Sequence, residues 1–180
     1  MRRGGEGYTV RLARPEDAGS LGAVEQAAAA RFAAIGMARI AEGRPTDESE
    51  YLEAIGDSRL WVVEASGGVL AGLAIGNILD GQGFLAEVSV LPDHAGHRLA
   101  ALMIAALEAW ALARGCRSVS LTTFRDVPWN RPYYESLGFV PLDEADAGPE
   151  LRAVRAKEKA RGVDSNGPRL CMVRRIGEGG

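Results

Sequence analysis

Tyr8 to Ala13 alternates apolar and polar residues, with Val10 and Leu12 on one face, which predicts a strand. Pro15-Glu16-Asp17 opens a helix, since proline at the first helical position loses no hydrogen bond and acids there suit the helix dipole. Leu21, Val24, Ala28, Phe32 and Ile35 recur every three or four residues, the spacing of one buried helical face, and Gly36 ends it. A polar stretch leads to a short helix near Asp47 to Ile55. Leu60 to Ala65, Val69 to Leu79 and Phe84 to Leu91 read as three antiparallel strands, turned at Gly67-Gly68 and at Asp80-Gly81-Gln82-Gly83. Leu99, Leu102, Met103, Ala106, Leu107 and Trp110 then return to helical spacing, closed by Gly115. Ser118 to Phe124 is a further strand and Pro132 to Leu137 a short helix ended by Gly138. Phe139 to Leu142 starts another strand, Glu150 to Arg161 is a charged helix, and Leu170 to Ile176 is the last strand.

The order is β-α-α-β-β-β-α-β-α-β-α-β, without internal repeat or low-complexity tract. A helix joins the fourth strand (Phe84 to Leu91) to the fifth (Ser118 to Phe124), so that pair is expected to be parallel and the rest mostly antiparallel. The fold class is α+β, or mixed α/β. The 180 residues suit a single domain spanning 1–180, with 1–7 and 177–180 frayed. Hydrophobic residues at 47% suffice for a core and argue against disorder.

The net charge of −3 argues against a nucleic-acid binder. Cys116 and Cys171 have no CxxC partner, so neither a disulfide framework nor a zinc knuckle is indicated. The start of the chain lacks the apolar stretch of a signal peptide, and the longest apolar run, Leu99 to Leu107, is too short to span a bilayer. These features predict a cytoplasmic protein with no membrane partner. His94 and His97 are the only histidines, and Asp93 is the sole third ligand nearby, so no metal is expected. The basic run Arg152 to Arg161 reads as a solvated helix face, or as a surface for an acidic partner.

Val88-Ser89-Val90-Leu91-Pro92-Asp93-His94-Ala95-Gly96-His97-Arg98-Leu99-Ala100 carries the chemistry. It is a buried strand, a proline stop, a small-residue turn and a helix start. Free backbone N–H groups and the helix dipole favour phosphate at such a place. Gly96 and Ala100 permit close approach of a ligand, and His97 and Arg98 add charge-assisted contacts. By itself the stretch could equally be an ordinary turn before a helix.

This stretch resembles the acetyl-CoA motif of the GNAT acetyltransferases, V-x-P-x-x-[RQ]-G-x-G-x-[GA]. Asn130-Arg131-Pro132-Tyr133-Tyr134-Glu135-Ser136-Leu137-Gly138-Phe139 resembles that family's Asn…Tyr-x-x-x-Gly-Phe signature, and Val10 to Ala18 its usual opening. The likeness covers nearly the whole chain. Ala95 stands where the motif has Arg or Gln, and Arg98 where it has its second glycine. Arg98 either restores the lost phosphate contact or obstructs the backbone approach.

The resemblance implies the family's fold: a mixed, mostly antiparallel sheet of six or seven strands flanked by helices and splayed between the fourth and fifth. It implies an N-acetyltransferase that passes an acetyl group from acetyl-CoA to a primary amine of a small molecule or protein, by direct attack on the thioester and without a metal. Ala95, Gly96, His97, Arg98, Leu99, Ala100 and Ala101 would meet the pyrophosphate. Val88, Ser89 and Val90 would pair with the pantetheine arm, and the Val90 N–H would face the oxyanion.

By its place four residues before Gly138, Tyr134 matches the general acid; otherwise it is a core tyrosine. Tyr133 would be wall or cofactor contact, and Asn130 a cofactor contact or a turn cap. Glu87 is the candidate base, or else a structural glutamate. Thr122, Thr123 and Arg125 would line the acceptor side. Glu25, Phe32, Met37 and Tyr51, on the first two helices and their loop, are acceptor candidates or simply packing. The alternative to an enzyme is a non-catalytic module that binds CoA or acyl-CoA. A homodimer is compatible with the family, and no sequence stripe marks its surface.

Overall fold

The computed structural model describes residues 2–3 and 7–177, and is mixed α/β. Seven of its eight strands are those expected: β2 (Tyr8–Leu12), β3 (Leu60–Ala65), β4 (Leu70–Leu79), β5 (Gln82–Val90), β6 (Ser118–Phe124), β7 (Val140–Leu142) and β8 (Arg169–Arg175). The eighth, β1 (Arg2–Arg3), corrects the reading of 1–7 as frayed, because it pairs antiparallel with Thr9 and Val10. Met1, 4–6 and 178–180 lie outside the described residues. The helices are α1 (Ala18–Ala29), α2 (Ala38–Ala41), α3 (Glu48–Gly56), α4 (Leu99–Ala113), α5 (Arg131–Ser136) and α6 (Pro149–Ala160). The one-turn α2 sits in the stretch read only as polar.

The chain forms two compact units, Met1–Gly76 with Glu87–Leu107, and Asn77–Ala86 with Glu108–Gly180. β4, β5 and α4 each contribute residues to both.

In the first unit β1, β2, β3 and β4 are neighbours in that order, with β2 antiparallel to β3 and β3 to β4. Leu21 and Val24 of α1, Tyr51 and Ala54 of α3, and Leu60, Val62, Leu73 and Ile75 of the sheet form one apolar cluster. The expected face of α1 stops at Ala28. After Ala29 the chain tightens into a 3-10 helix, Ala30–Ile35, which leaves Phe32 half-buried and Ile35 exposed. Three residues per turn no longer hold a 3.6-residue stripe against the sheet. Two glycines of β4 let β5 and α4 approach closely. A Cβ on Gly72 would meet the Ser89 carbonyl at 2.7 Å, and one on Gly76 would meet Leu107 and Trp61 at 3.0 and 3.1 Å. The start of α1 is held by Arg11, whose guanidinium grips Asp17 at 2.7 and 3.0 Å while its Nε reaches Glu64 at 2.8 Å.

In the second unit β5 runs parallel to β6, with Gly83, Phe84 and Leu85 opposite Val119, Ser120 and Leu121. β8 lies between β6 and β7, antiparallel to both. Asp80 caps α6 from 70 residues away. Its carboxylate accepts the N–H groups of Glu150 and Leu151 at 3.0 Å each, and its own N–H donates to the Glu150 carboxylate.

Arg155 corrects the reading of α6 as a solvated basic face, because it is 1% exposed. Asp164 receives it at 2.8 and 3.1 Å, Glu144 at 3.2 Å, and Glu158 directly. Arg169 binds Glu158 from the other side at 2.9 and 3.2 Å, and Lys159 binds Glu144 at 2.7 Å. Cys116 and Cys171 are buried free thiols. Burial pushes the Cys171 thiol up to about 11.

Candidate active site

The first unit carries the strand-to-helix turn. Leu91 donates its N–H to the Ala71 carbonyl at 2.9 Å. Alternate residues of an antiparallel strand direct their amides to the same neighbour. The N–H groups of Val88 and Val90 therefore point away from β4. Glu87 and Ser89 occupy the opposite face from Val88 and Val90, and the Ser89 hydroxyl donates to Glu87 Oε1 at 2.7 Å. Glu87 is half-buried and Ser89 buried.

Pro92 begins a 3-10 turn, and Gly96 and Arg98 then adopt positive φ, +84° and +56°. Arg98 thus makes the left-handed bend that a glycine makes without strain, at a cost of about 1 kcal/mol for a residue with a Cβ. Leu102 bonds to the Arg98 carbonyl at 3.2 Å. The N–H groups of Leu99, Ala100 and Ala101 stand in the first turn, ahead of the intrahelical ladder. Ala95, Gly96, His97 and Arg98 are exposed, and Ala100 and Ala101 half-buried. Tyr8 pins this turn to β2. Its hydroxyl is hydrogen-bonded to His94 Nδ1 at 2.9 Å, and its ring lies 5.1 Å from that of His97.

The same unit brings Glu25 and Tyr51 together. Glu25 Oε2 accepts the Thr46 N–H at 2.9 Å, while Oε1 is buried with no hydrogen-bond partner among the described residues. The Tyr51 hydroxyl is buried beside that carboxylate. Burial, then the adjoining Glu25 carboxylate and Glu87, hold its phenol well above the ordinary range, so it stays protonated. Met37 is buried, and Arg31 stands over the Phe32 ring at 5.8 Å.

The second unit carries the tyrosine. Asn130 accepts the Tyr134 N–H at its backbone carbonyl, 3.1 Å away, and its side chain makes no cap. Gly138, at φ +87°, turns the chain back so that the Phe139 N–H reaches the Tyr134 carbonyl at 3.0 Å. The buried Phe139 ring then stands edge-on to Tyr134, 5.9 Å between centroids, and Tyr133 flanks it at 5.6 Å. The short tyrosine-to-glycine spacing is therefore a device that holds the phenol between two rings.

Thr122 is committed elsewhere, donating to Glu158 at 2.5 Å and accepting from Arg169 at 2.9 Å. Thr123 is buried. Arg125 is exposed and paired with the neighbouring Asp126 at 3.0 Å.

Tyr8 and Thr46 act around the site without having been singled out. Each bonds a residue far along the chain, His94 and Glu25. Among the described residues no three His, Cys, Asp or Glu side chains converge on a metal position, and no helix is long and apolar enough to cross a membrane.

Residues 24–139 match the Acetyltransferase (GNAT) family. Solved structures share the fold at low identity. An N-acetyltransferase of Thermoplasma acidophilum named PaiA, in complex with coenzyme A, is 14% identical, with TM-score 0.69 over 94% of this chain and 99% of its own. The ribosomal-protein-S18-alanine N-acetyltransferase of Escherichia coli is 17% identical, with TM-score 0.65 over 96% of each chain. N-acetylglutamate synthase of Neisseria gonorrhoeae, complexed with coenzyme A and N-acetyl-glutamate, is 19% identical, with TM-score 0.68 over 95% of this chain and 35% of its own. With the family matched across more than half its length, this chain belongs to the GNAT acetyltransferases.

Proposed function

We propose that the protein is an acetyl-CoA-dependent N-acetyltransferase that acetylates a primary amine by direct attack on the thioester. The observation that carries this reading is the Arg98 backbone. It keeps the left-handed bend expected of a glycine, and with it the run of first-turn amides at Leu99, Ala100 and Ala101. A cofactor pyrophosphate meets those amides and the helix dipole whatever the side chain at 95. The Arg98 guanidinium supplies the charge that Ala95 lacks, with Gly96 and His97 beside it.

In this reading β5 and β6 splay, and the outward amides of Val88 and Val90 receive the pantetheine arm as an added strand. The Val90 N–H then faces the thioester oxygen. Glu87 takes a proton from the amine, directly or through water, while the amine nitrogen bonds to the acetyl carbon. The carbon–sulfur bond breaks and Tyr134 gives its proton to the departing thiolate. Ser89, by donating to Glu87 Oε1, helps to orient this carboxylate. Asn130, whose side chain makes no helix cap, and Tyr133 are assigned to the cofactor. Phe32, Thr123 and Arg125 are assigned to the acceptor side with Glu25 and Tyr51.

A thermal melt tests the cofactor. Acetyl-CoA at 100 times Kd adds about 2.7 kcal/mol, roughly 5–11 °C for a domain of this size. Tyr134→Phe tests the chemistry: kcat falls by about 100-fold or more with acetyl-CoA affinity kept. Ala95 favours one other reading, a non-catalytic acyl-CoA module. It requires the melting shift without turnover of any amine.

A further inference from the structure

Tyr8 touches the turn before α4 at two points. Its hydroxyl is hydrogen-bonded to His94 Nδ1 at 2.9 Å, 86 positions on, with the two rings edge to face at 88°. Its ring lies 5.1 Å from that of His97, tilted by 43°. These are the only two histidines of the chain, and they bracket Ala95 and Gly96. The turn is open to solvent. Ala95, Gly96, His97 and Arg98 are exposed, and a Cβ on Gly96 would meet nothing within 4 Å. Backbone bonds close the chain on either side of it: His94 and Ala95 donate back to Leu91 and Pro92, and Leu102 donates to the Arg98 carbonyl. Between them Gly96 and Arg98 both take left-handed φ, +84° and +56°. A residue with a Cβ stays in that region where its surroundings fix it there. Tyr8 supplies such a hold from a rigid place. β2 is paired on both sides, with Tyr8 opposite Ala65 of β3 and with Thr9 and Val10 opposite β1.

We infer that Tyr8 is a positioning residue for the phosphates of the acyl-CoA. Its hydroxyl, through His94, and its ring, against His97, set the turn so that the first-turn amides of α4 are in place before the cofactor arrives. The inference rests on the acetyltransferase reading, in which this turn receives the pyrophosphate. Tyr8 acts through the two histidines rather than on the reacting atoms. A turn ordered in advance loses less freedom on binding. Releasing it therefore lowers affinity for ligands that carry the phosphates, and for no others.

The probes are CoA and pantetheine, which is CoA without its phosphates and nucleotide. CoA is titrated calorimetrically into the full chain. Tyr8→Phe, which keeps the ring, is expected to weaken CoA about fivefold, the worth of one hydrogen bond. The double variant Tyr8→Phe with His94→Ala is expected to bind CoA no more weakly than His94→Ala alone, since both substitutions remove the same bond. The melting shift given by millimolar pantetheine is expected to be the same in wild type and Tyr8→Phe, whatever its size. Unchanged CoA affinity in Tyr8→Phe, losses that add in the double variant, or a pantetheine shift that falls along with CoA affinity would each overturn the inference. Wild type separates the two failures. If it binds CoA and Tyr8→Phe binds equally well, the role of Tyr8 alone is wrong; if wild type itself does not bind CoA, the transferase reading falls as well.

Discussion

Two charged side chains on helices, one in each unit, have opposite surroundings. Arg155 of α6 is 1% exposed and meets three carboxylates, from Glu144, Glu158 and Asp164. Those carboxylates are shared in turn with Lys159 and Arg169, so three cations face three anions. Glu25 of α1 has the neutral Thr46 amide on one oxygen and the neutral Tyr51 hydroxyl beside its carboxylate. The first arrangement is closed and contributes only to the fold. The second is met by neutral donors alone. A charge is therefore informative through its partners, since one held by opposite charges costs most when a partner is removed and one held by neutral donors costs less.

Breaking the closed cluster gives the largest expected effect. Arg155→Met leaves three carboxylates without their common cation and is expected to cost about 3–5 kcal/mol in urea unfolding. Glu25→Gln is expected to change stability by about 1 kcal/mol or less, since it retains the Thr46 bond. Equal losses in the two variants would erase the distinction between a charge held by opposite charges and one held by neutral donors.

Acid sharpens the comparison. The Arg155 guanidinium holds the Asp164 carboxyl below its usual range, and the Arg11 guanidinium does the same for Asp17. A carboxyl whose folded value is depressed stabilises the fold above its unfolded value, about 3.9, and loses that contribution as pH falls through the folded value. Melting temperature is therefore expected to fall below about pH 4. Asp17→Asn and Asp164→Asn are each expected to be less stable at neutral pH and to show a shallower acid slope. An unchanged slope in both would mean that neither pair is linked to folding.

The smallest effect concerns Arg98. Arg98→Gly relieves the left-handed strain, so stability is expected to rise by about 1 kcal/mol or less. Acetyl-CoA affinity is expected to fall about tenfold, the worth of one charge-assisted bond. Unchanged affinity would show that the backbone amides suffice and that the guanidinium adds nothing.

The turn into α4 and the Tyr134 motif were legible because both are local. A proline stop, a glycine bend and a helix start specify one backbone path within about a dozen residues, and Gly138 brings Phe139 back onto Tyr134 within one turn. The seven main strands were legible for the same reason, since alternation and turn residues report on neighbours in the chain. β1, α2, the early end of the α1 face and the buried Arg155 of α6 departed from expectation.

By itself, the sequence determined the order of elements, the parallel pairing of β5 with β6, and the family motifs with their two departures at Ala95 and Arg98. Tertiary structure alone decided which charges are paired. Arg155 reads as one more basic residue of a solvated helix until Asp164 and Glu144 fold around it. Glu25 reads as a polar residue of α1 until Thr46, 21 positions on, occupies one of its oxygens and Tyr51 stands beside the other. Hydrophobic period describes one element at a time. The energy of a buried charge depends on groups far along the chain, and only the folded backbone brings those together.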